Sequence, residues 1–299
     1  MLGRHISSAL RLQGYTVFDH YRSISDLRDY KSTKLIFAGV KPDLVIHCAA
    51  LVGGIKANIE GGASLYQVNR QIDSNVFKIS SEMRVEKLAY IGSSCIYPMN
   101  RSRLLRVEDL GQGELEPSNK NYALAKIEGI NQVKNITTNL GLEWKTYVAS
   151  NLYGPFDNFN PNKSHLIPAI IRKVMSAHKQ GLKSVEMWGD GSPRREFTYV
   201  PEFASWLVSS IAKMNEIPEV LNVGLGEDFS VREYYEMVIN LIDPSIRIIK
   251  NETMPNGIPS KLMDSSVANS LGWKPKVKPF EGIKLTLEWL EKEIGLLWN

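Results

Sequence analysis

The apolar positions of the first 150 residues fall into two alternating spacings. Leu2, Ile6, Ala9, Leu10 and Leu12 recur every three to four residues and stop at Gly14, which predicts an amphipathic helix; Tyr15-Thr-Val-Phe18 then reads as a strand. Asp43-Leu-Val-Ile-His-Cys48 reads as a buried strand after Lys41-Pro42, 65–83 as a helix, and Lys87-Leu-Ala-Tyr-Ile-Gly92 as the next strand. A helix over 121–140 halts at Gly141, and Glu143 to Ser150 is again a strand. Strands that alternate with helices predict an α/β chain with a doubly wound parallel sheet. Ligands of such sheets bind beyond the carboxyl ends of the strands, where His47 to Ala50, Ser93 to Cys95 and Ser150-Asn151 all fall.

After residue 150 proline and glycine punctuation becomes dense. Gly154 to Pro161 is loop, about 165–179 a helix, and Ser184 to Trp188 a short strand before Gly189-Asp-Gly-Ser-Pro193. Residues 196–222 read as strand, helix and strand, and further helices are expected at about 231–242, 264–271 and 280–294. The expected division is a nucleotide-binding domain of 1–150 plus about 196–222, and a smaller discontinuous substrate domain of 151–195 plus 223–299.

At 299 residues and 43% apolar, the chain can bury one large core or two modest ones. Charges interrupt every hydrophobic run, so no membrane span is expected. Cys48 and Cys95 are too few for a disulfide framework or a thiolate metal site, which points to a reducing compartment, the cytoplasm, and to no metal. A net charge of +4 allows an anionic ligand, but no basic stripe suggests nucleic acid. The start of the chain, with Arg4, His5, Ser7 and Ser8 and no acid before Asp19, loosely suits an organelle leader; the apolar stripe fits a folded helix better.

Candidate chemistry centres on Ser93, Cys95, Tyr122 and Lys126. Tyr122 and Lys126 stand one helical turn apart, on one face. An adjacent ammonium is expected to lower the phenol from its ordinary value of about 10, letting Tyr122 exchange a proton, while Ser93 holds a carbonyl oxygen. The spacing alone is weak, because Tyr30 and Lys34 repeat it without a serine run beside them. The preceding strand and the Ser93-Ser94 pair are what single out the second pair.

Ala49-Ala-Leu-Val-Gly-Gly-Ile55, Gly92-Ser-Ser-Cys-Ile-Tyr-Pro98, Leu115-Glu-Pro117, Tyr122 to Lys126 and Asn151-Leu-Tyr-Gly-Pro155 occur in this order, followed by Asp157-Asn-Phe159, Ser164-His165 and Trp188 to Phe197. In order and spacing they resemble the GDP-L-fucose synthases, extended short-chain dehydrogenase/reductases, over almost the whole chain. The resemblance implies a Rossmann-type sheet, NADP(H), and a two-stage reaction on GDP-4-keto-6-deoxy-D-mannose: epimerisation at C3 and C5, then hydride transfer to C4. It implies Cys95 and His165 as base and acid, and Ser93, Tyr122 and Lys126 as the reducing set. It lays the cofactor along Gly3, Arg22, Ala49, Ala50, Ser93, Ser94, Tyr122, Lys126, Ala149, Asn151, Leu152 and His165, and the GDP-sugar on Lys173, Trp188, Arg195, Lys261 and Asp264. A homodimer paired through the 65–83 and 121–140 helices is also implied.

Two departures from the pattern stand out. Of the glycine-rich turn Gly-x-x-Gly-x-x-Gly only the last glycine is present, as Gly3, and the strand before it is missing, so a truncated reading of the gene is expected. Leu51 stands where relatives often carry a lysine. On cofactor choice, Arg22 suits a 2′-phosphate and Asp19 an NAD ribose; the resemblance favours NADP. The alternatives are a reductase or epimerase-reductase of another GDP-4-keto sugar, such as a heptose, and a non-catalytic nucleotide-binding relative. Loop 51–62 and residues 157–165 would decide the sugar.

Overall fold

The computed structural model describes residues 1–54, 58, 61–99, 104–161, 163–254 and 256–294. Ile55, most of 55–60 and Pro255, which belong to segments named above, lie outside the described residues. The chain runs through α1 (Leu2–Leu12), α2 (Tyr30–Val40), β1 (Leu44–His47), α3 (Gly62–Glu82), β2 (Lys87–Ser93), α4 (Lys120–Leu140), β3 (Glu143–Ala149) and β4 (Asn151–Tyr153). It continues through α5 (Leu166–Lys179), β5 (Ser184–Trp188), β6 (Arg194–Arg195), β7 (Phe197–Tyr199), α6 (Val200–Ser210) and β8 (Val220–Val223). The last elements are β9 (Phe229–Ser230), α7 (Val231–Ile242), β10 (Arg247–Asn251), α8 (Ser266–Ser270) and α9 (Pro279–Ile294).

The expected doubly wound α/β architecture is present. The central sheet has the order β1-β2-β3-β8 and every pairing is parallel. Alternation along its strands feeds two cores. Ala89, Ile91, Tyr147, Ala149, Leu221 and Val223 pack on one face against α1 and α6. Leu88, Tyr90, Val148 and Val220 pack on the other against α3 and α4. A parallel sheet is stable only with both faces covered, and here the cover is a helix pair on each side. A third core lies under α5, α7 and α9, beside the parallel pair β5 and β10.

The ends of the helices follow local chemistry. Asp29 accepts from the Lys31 and Ser32 N–H groups and starts α2; Ser230 and Glu233 form a capping box at α7. Gly141, at φ 65°, ends α4 in the left-handed conformation.

One predicted strand is absent. Tyr15 to Phe18 is irregular, with Tyr15 and Phe18 exposed. β1 is the sheet edge among the described strands, so no ladder reaches this segment. It is fastened to α1 instead, by Tyr15 N–H to Leu10 O at 3.1 Å and by Asp19, which accepts from Ser7 and Arg11.

Candidate active site

The centre of the site is the carboxyl end of β2. Ser93 ends the strand, and its hydroxyl lies 3.5 Å from the Cys95 N–H as the chain turns into a single 3₁₀ turn over Ser94–Ile96. That turn buries Ser94 and Cys95 where an extended chain would have carried them away from the sheet. Burial pushes the Cys95 thiol up, while Ser93, Lys261 and Lys126 pull the other way.

From α4, Tyr122 and Lys126 approach the same strand end. Lys126 is 2% exposed; its ammonium donates to Ile91 O at 3.0 Å and lies 4.4 Å from the centre of the Tyr90 ring. It is 5.9 Å from the centre of the Tyr122 ring. The expected lowering of the Tyr122 phenol is not what the structure shows. Burial, with Cys95 and Asp73 close by, drives it well above the ordinary tyrosine range.

Beneath this pair lies a polar group that sequence reading missed. Asp73, on the inward face of α3, accepts from Tyr90 hydroxyl at 2.5 Å and pairs with His47 Nε2 at 2.7 Å. His47, Asp73 and Tyr90 are all nearly inaccessible. Burial raises the Asp73 carboxyl, but Lys126, His47 and Tyr90 together hold it below its ordinary value. Asn69, one turn earlier, accepts from Leu51 N–H at 2.7 Å and donates to Leu51 O at 2.9 Å, which pins the loop after β1. The only signal for either was a polar residue on the buried stripe of a helix.

His165 comes from the segment between β4 and α5. It is the N-cap residue of α5, open to solvent on one side, and the protein around the rest holds its imidazole below the ordinary histidine value. The Ser164 hydroxyl, one residue before it, is buried with no hydrogen-bond partner among the described residues and does not cap the helix. The Gly54 N–H donates to Lys163 O at 3.2 Å and joins the loop after β1 to this segment.

The residues expected to hold a GDP-sugar form two groups. Lys173 lies 5.5 Å from the centre of the Trp188 ring and donates to Glu186 O at 3.0 Å; the indole is 44% exposed, so it is a surface platform and not a core residue. Trp206, by contrast, packs on Tyr147 and Trp273 as expected of a core side chain. Lys261 donates to Glu116 at 3.1 Å in a nearly buried pair, and burial of the Glu116 carboxyl is outweighed by Lys261 and Asn119. Arg195 turns its guanidinium to Arg194 O and Ile258 O, at 2.8 and 2.7 Å, with Glu116 close enough to feel its charge. Asp264 is spent on structure: it accepts from Arg106 at 3.1 Å and from Ser266 N–H at 3.0 Å.

The residues present fit a dinucleotide. α1 starts with no side-chain cap and no acid in its first turn, leaving N–H groups for a diphosphate. A side chain at Gly3 would begin 3.3 Å from the Cys48 sulfur, so glycine allows α1 its close approach to the end of β1. Ala49, Ala50 and Leu152 are partly accessible along the strand ends; Ala149 is buried; Asn151 donates to Glu196 O at 2.9 Å. Arg22 is exposed and 3.6 Å from Asp26. Asp19, with its carboxylate taken by Ser7 and Arg11, is not free to grip a ribose.

Sheet, strand-end thiol and tyrosine–lysine pair together define a nucleotide-dependent enzyme of the extended dehydrogenase type. The chain belongs to the NAD dependent epimerase/dehydratase family, whose model matches residues 1–224, and stands within it among the GDP-L-fucose synthases. It is 37% identical to GDP-L-fucose synthase 1 of Arabidopsis thaliana, over 98% of this chain and 91% of that protein. It is 33% identical to the GDP-L-colitose synthase of Yersinia pseudotuberculosis, over 98% and 96%. A GDP-D-glycero-L-gluco-heptose synthase from Campylobacter jejuni, solved in the presence of NADPH, superposes with a TM-score of 0.88 at 28% identity, over 97% and 95%.

Proposed function

We propose that this chain converts GDP-4-keto-6-deoxy-D-mannose to GDP-L-fucose, by epimerising C3 and C5 and then reducing C4 with NADPH. The observation that carries the reading is the convergence of Cys95, Ser93 and Tyr122 on one end of β2, with the Lys126 ammonium buried beneath them. An epimerising thiol and a reducing phenol thus serve one ketone.

Protons beside a ketone are acidic because the enolate is stabilised. The Cys95 sulfur, drawn toward the thiolate by Lys261 and Lys126 against the effect of its burial, takes the proton at C3 or C5, Ser93 and Tyr122 hold the enolate oxygen, and His165 returns a proton from the opposite face. A phenol held in its neutral form suits this work, since Tyr122 must donate a hydrogen bond first and a proton later. NADP(H), when bound, supplies the hydride; Tyr122 then gives its proton to the C4 oxygen, and Lys126 holds the nicotinamide ribose.

In this reading residues 1–150 plus about 196–222 hold NADP(H) and the remainder holds the GDP-sugar. The exposed Trp188 face takes guanine, and Lys173 and Arg195 take the diphosphate. Arg22 takes the 2′-phosphate, with Asp19 neutralised by Arg11. Among the described residues no helix is long and apolar enough to cross a membrane. The protein works in the cytoplasm as a homodimer through α3 and α4, which Tyr66, Arg70 and Glu128 bind into one two-helix face.

The test is incubation with NADPH and GDP-4-keto-6-deoxy-D-mannose in D₂O. The expected result is one NADPH oxidised per product, with deuterium at C3 and C5. Failure to oxidise NADPH, or much faster turnover of another GDP-4-keto sugar, overturns the reading.

A further inference from the structure

Lys126 is a cation with almost no access to water, and its hydrogen bond to Ile91 O is to a neutral group. A buried ammonium is strongly unfavourable without a counter-charge, and a carboxylate acts on it. That anion is the carboxylate of Asp73. It arrives from α3 and takes the hydroxyl of the same Tyr90 over whose ring the ammonium sits.

The carboxylate is itself held from two sides. His47, the last residue of β1, pairs with one oxygen, and the Tyr90 hydroxyl from β2 donates to the other. The His47 and Tyr90 rings stack with centroids 5.6 Å apart, and Phe77 packs edge-on against both. α4 makes room for this arrangement. Gly129 lies one turn beyond Lys126, and a first side-chain carbon there would sit 2.3 Å from the Tyr90 hydroxyl oxygen. Glycine is unfavourable inside a helix, so its presence where Tyr90 presses on α4 marks a fit between helix and hydroxyl.

We infer that Asp73 is a positioning residue for the reduction: a buried counter-ion, oriented by His47 and Tyr90, that holds the Lys126 ammonium aimed at the Tyr122 end of the site. This rests on the reading that Tyr122 and Lys126 carry the reduction. Among the described residues, the groups that face Lys126 are Asp73 from α3, Tyr90 from β2, Cys95 from the turn after β2, Cys48 after β1, and Tyr122 on its own helix. Of these, Asp73 is the carboxylate.

The experiment measures NADPH oxidation against pH for wild type, Asp73→Asn, Lys126→Met and the double variant. Asp73→Asn is expected to lower kcat for reduction at least tenfold at pH 8 and to move the alkaline limb of the profile to lower pH, since removing an anion lets the Tyr122 phenol, which Asp73 helps to hold up, ionise more readily. The double variant should be no slower than Lys126→Met alone. Tyr90→Phe, which keeps the ring and removes one donor to Asp73, should show the same shift in smaller measure and serves if Asp73→Asn does not fold. If Lys126→Met is inactive while Asp73→Asn and Tyr90→Phe keep the wild-type limb, or if the double variant is slower than Lys126→Met, Asp73 has no such role. Full reduction by Lys126→Met would instead remove the reading beneath it, and the inference with it.

Discussion

Tyr30 and Lys34 on α2 stand four residues apart, as Tyr122 and Lys126 do on α4, and each pair has a carboxylate near by. On α2 the carboxylate is Glu82: Lys34 reaches it at 2.7 Å, the Tyr30 hydroxyl donates to it, and Lys34 and Glu82 are half and about one-third exposed. On α4 it is Asp73, walled in by His47 and Tyr90, and the lysine is almost fully buried. Water screens the first group to a surface contact of little consequence, whereas the second works in a medium where a charge must be answered by another charge. Spacing creates a pair, and burial at a strand end gives it something to do.

The largest expected difference between the pairs is catalytic. Tyr122→Phe and Lys126→Met should each lower the rate of reduction by about 10² to 10⁴, the usual worth of a positioned acid–base group, while Tyr30→Phe and Lys34→Met leave it unchanged. Steady-state NADPH oxidation checks this. Cys95→Ser should cost a similar factor in a different step, the exchange of solvent deuterium into C3 and C5.

The glycines of the two helices sharpen the contrast in stability. Gly129→Ala meets the Tyr90 hydroxyl and should destabilise the fold by about 1–3 kcal/mol, whereas Gly39→Ala on α2 meets nothing within 4 Å and should stabilise it by about 0.5–1 kcal/mol. Denaturant unfolding of the two variants gives the sign of each.

The smallest effect concerns the thiol. Lys261 draws the Cys95 thiol down and Glu116 pushes it up. Lys261→Met should therefore move the pH profile of Cys95 alkylation to higher pH and Glu116→Gln to lower pH, read by mass spectrometry with Cys48 as the internal reference. Equal profiles would place the ion pair too far away to matter.

Much of this arrangement was legible in the sequence. Buried strands and long amphipathic helices declared themselves by period, and strand-end residues such as Ser93 and Cys95 fell where a parallel sheet puts its ligands. The failures share a cause, since short or half-exposed segments carry no clear period. α2 was missed because Thr33 is its one fully buried residue, and β10 because it is short and mostly accessible. Tyr15 to Phe18 has a strand's composition but no neighbour to pair with among the described strands. Asp73 and Asn69 sat unnoticed on an apolar stripe, because a lone polar residue there does not reveal which distant group will satisfy it. The direction of the Tyr122 shift failed for a similar reason: the ammonium was visible in the sequence and the burial was not.

The most direct test of the account is one measurement on Tyr122→Phe: deuterium incorporation at C3 and C5 of GDP-4-keto-6-deoxy-D-mannose in D₂O, followed together with NADPH oxidation. Separate epimerising and reducing groups at one site predict that exchange continues while oxidation stops. Loss of both together, or oxidation at the wild-type rate, would contradict the assignment of Tyr122 as the proton donor of the reduction.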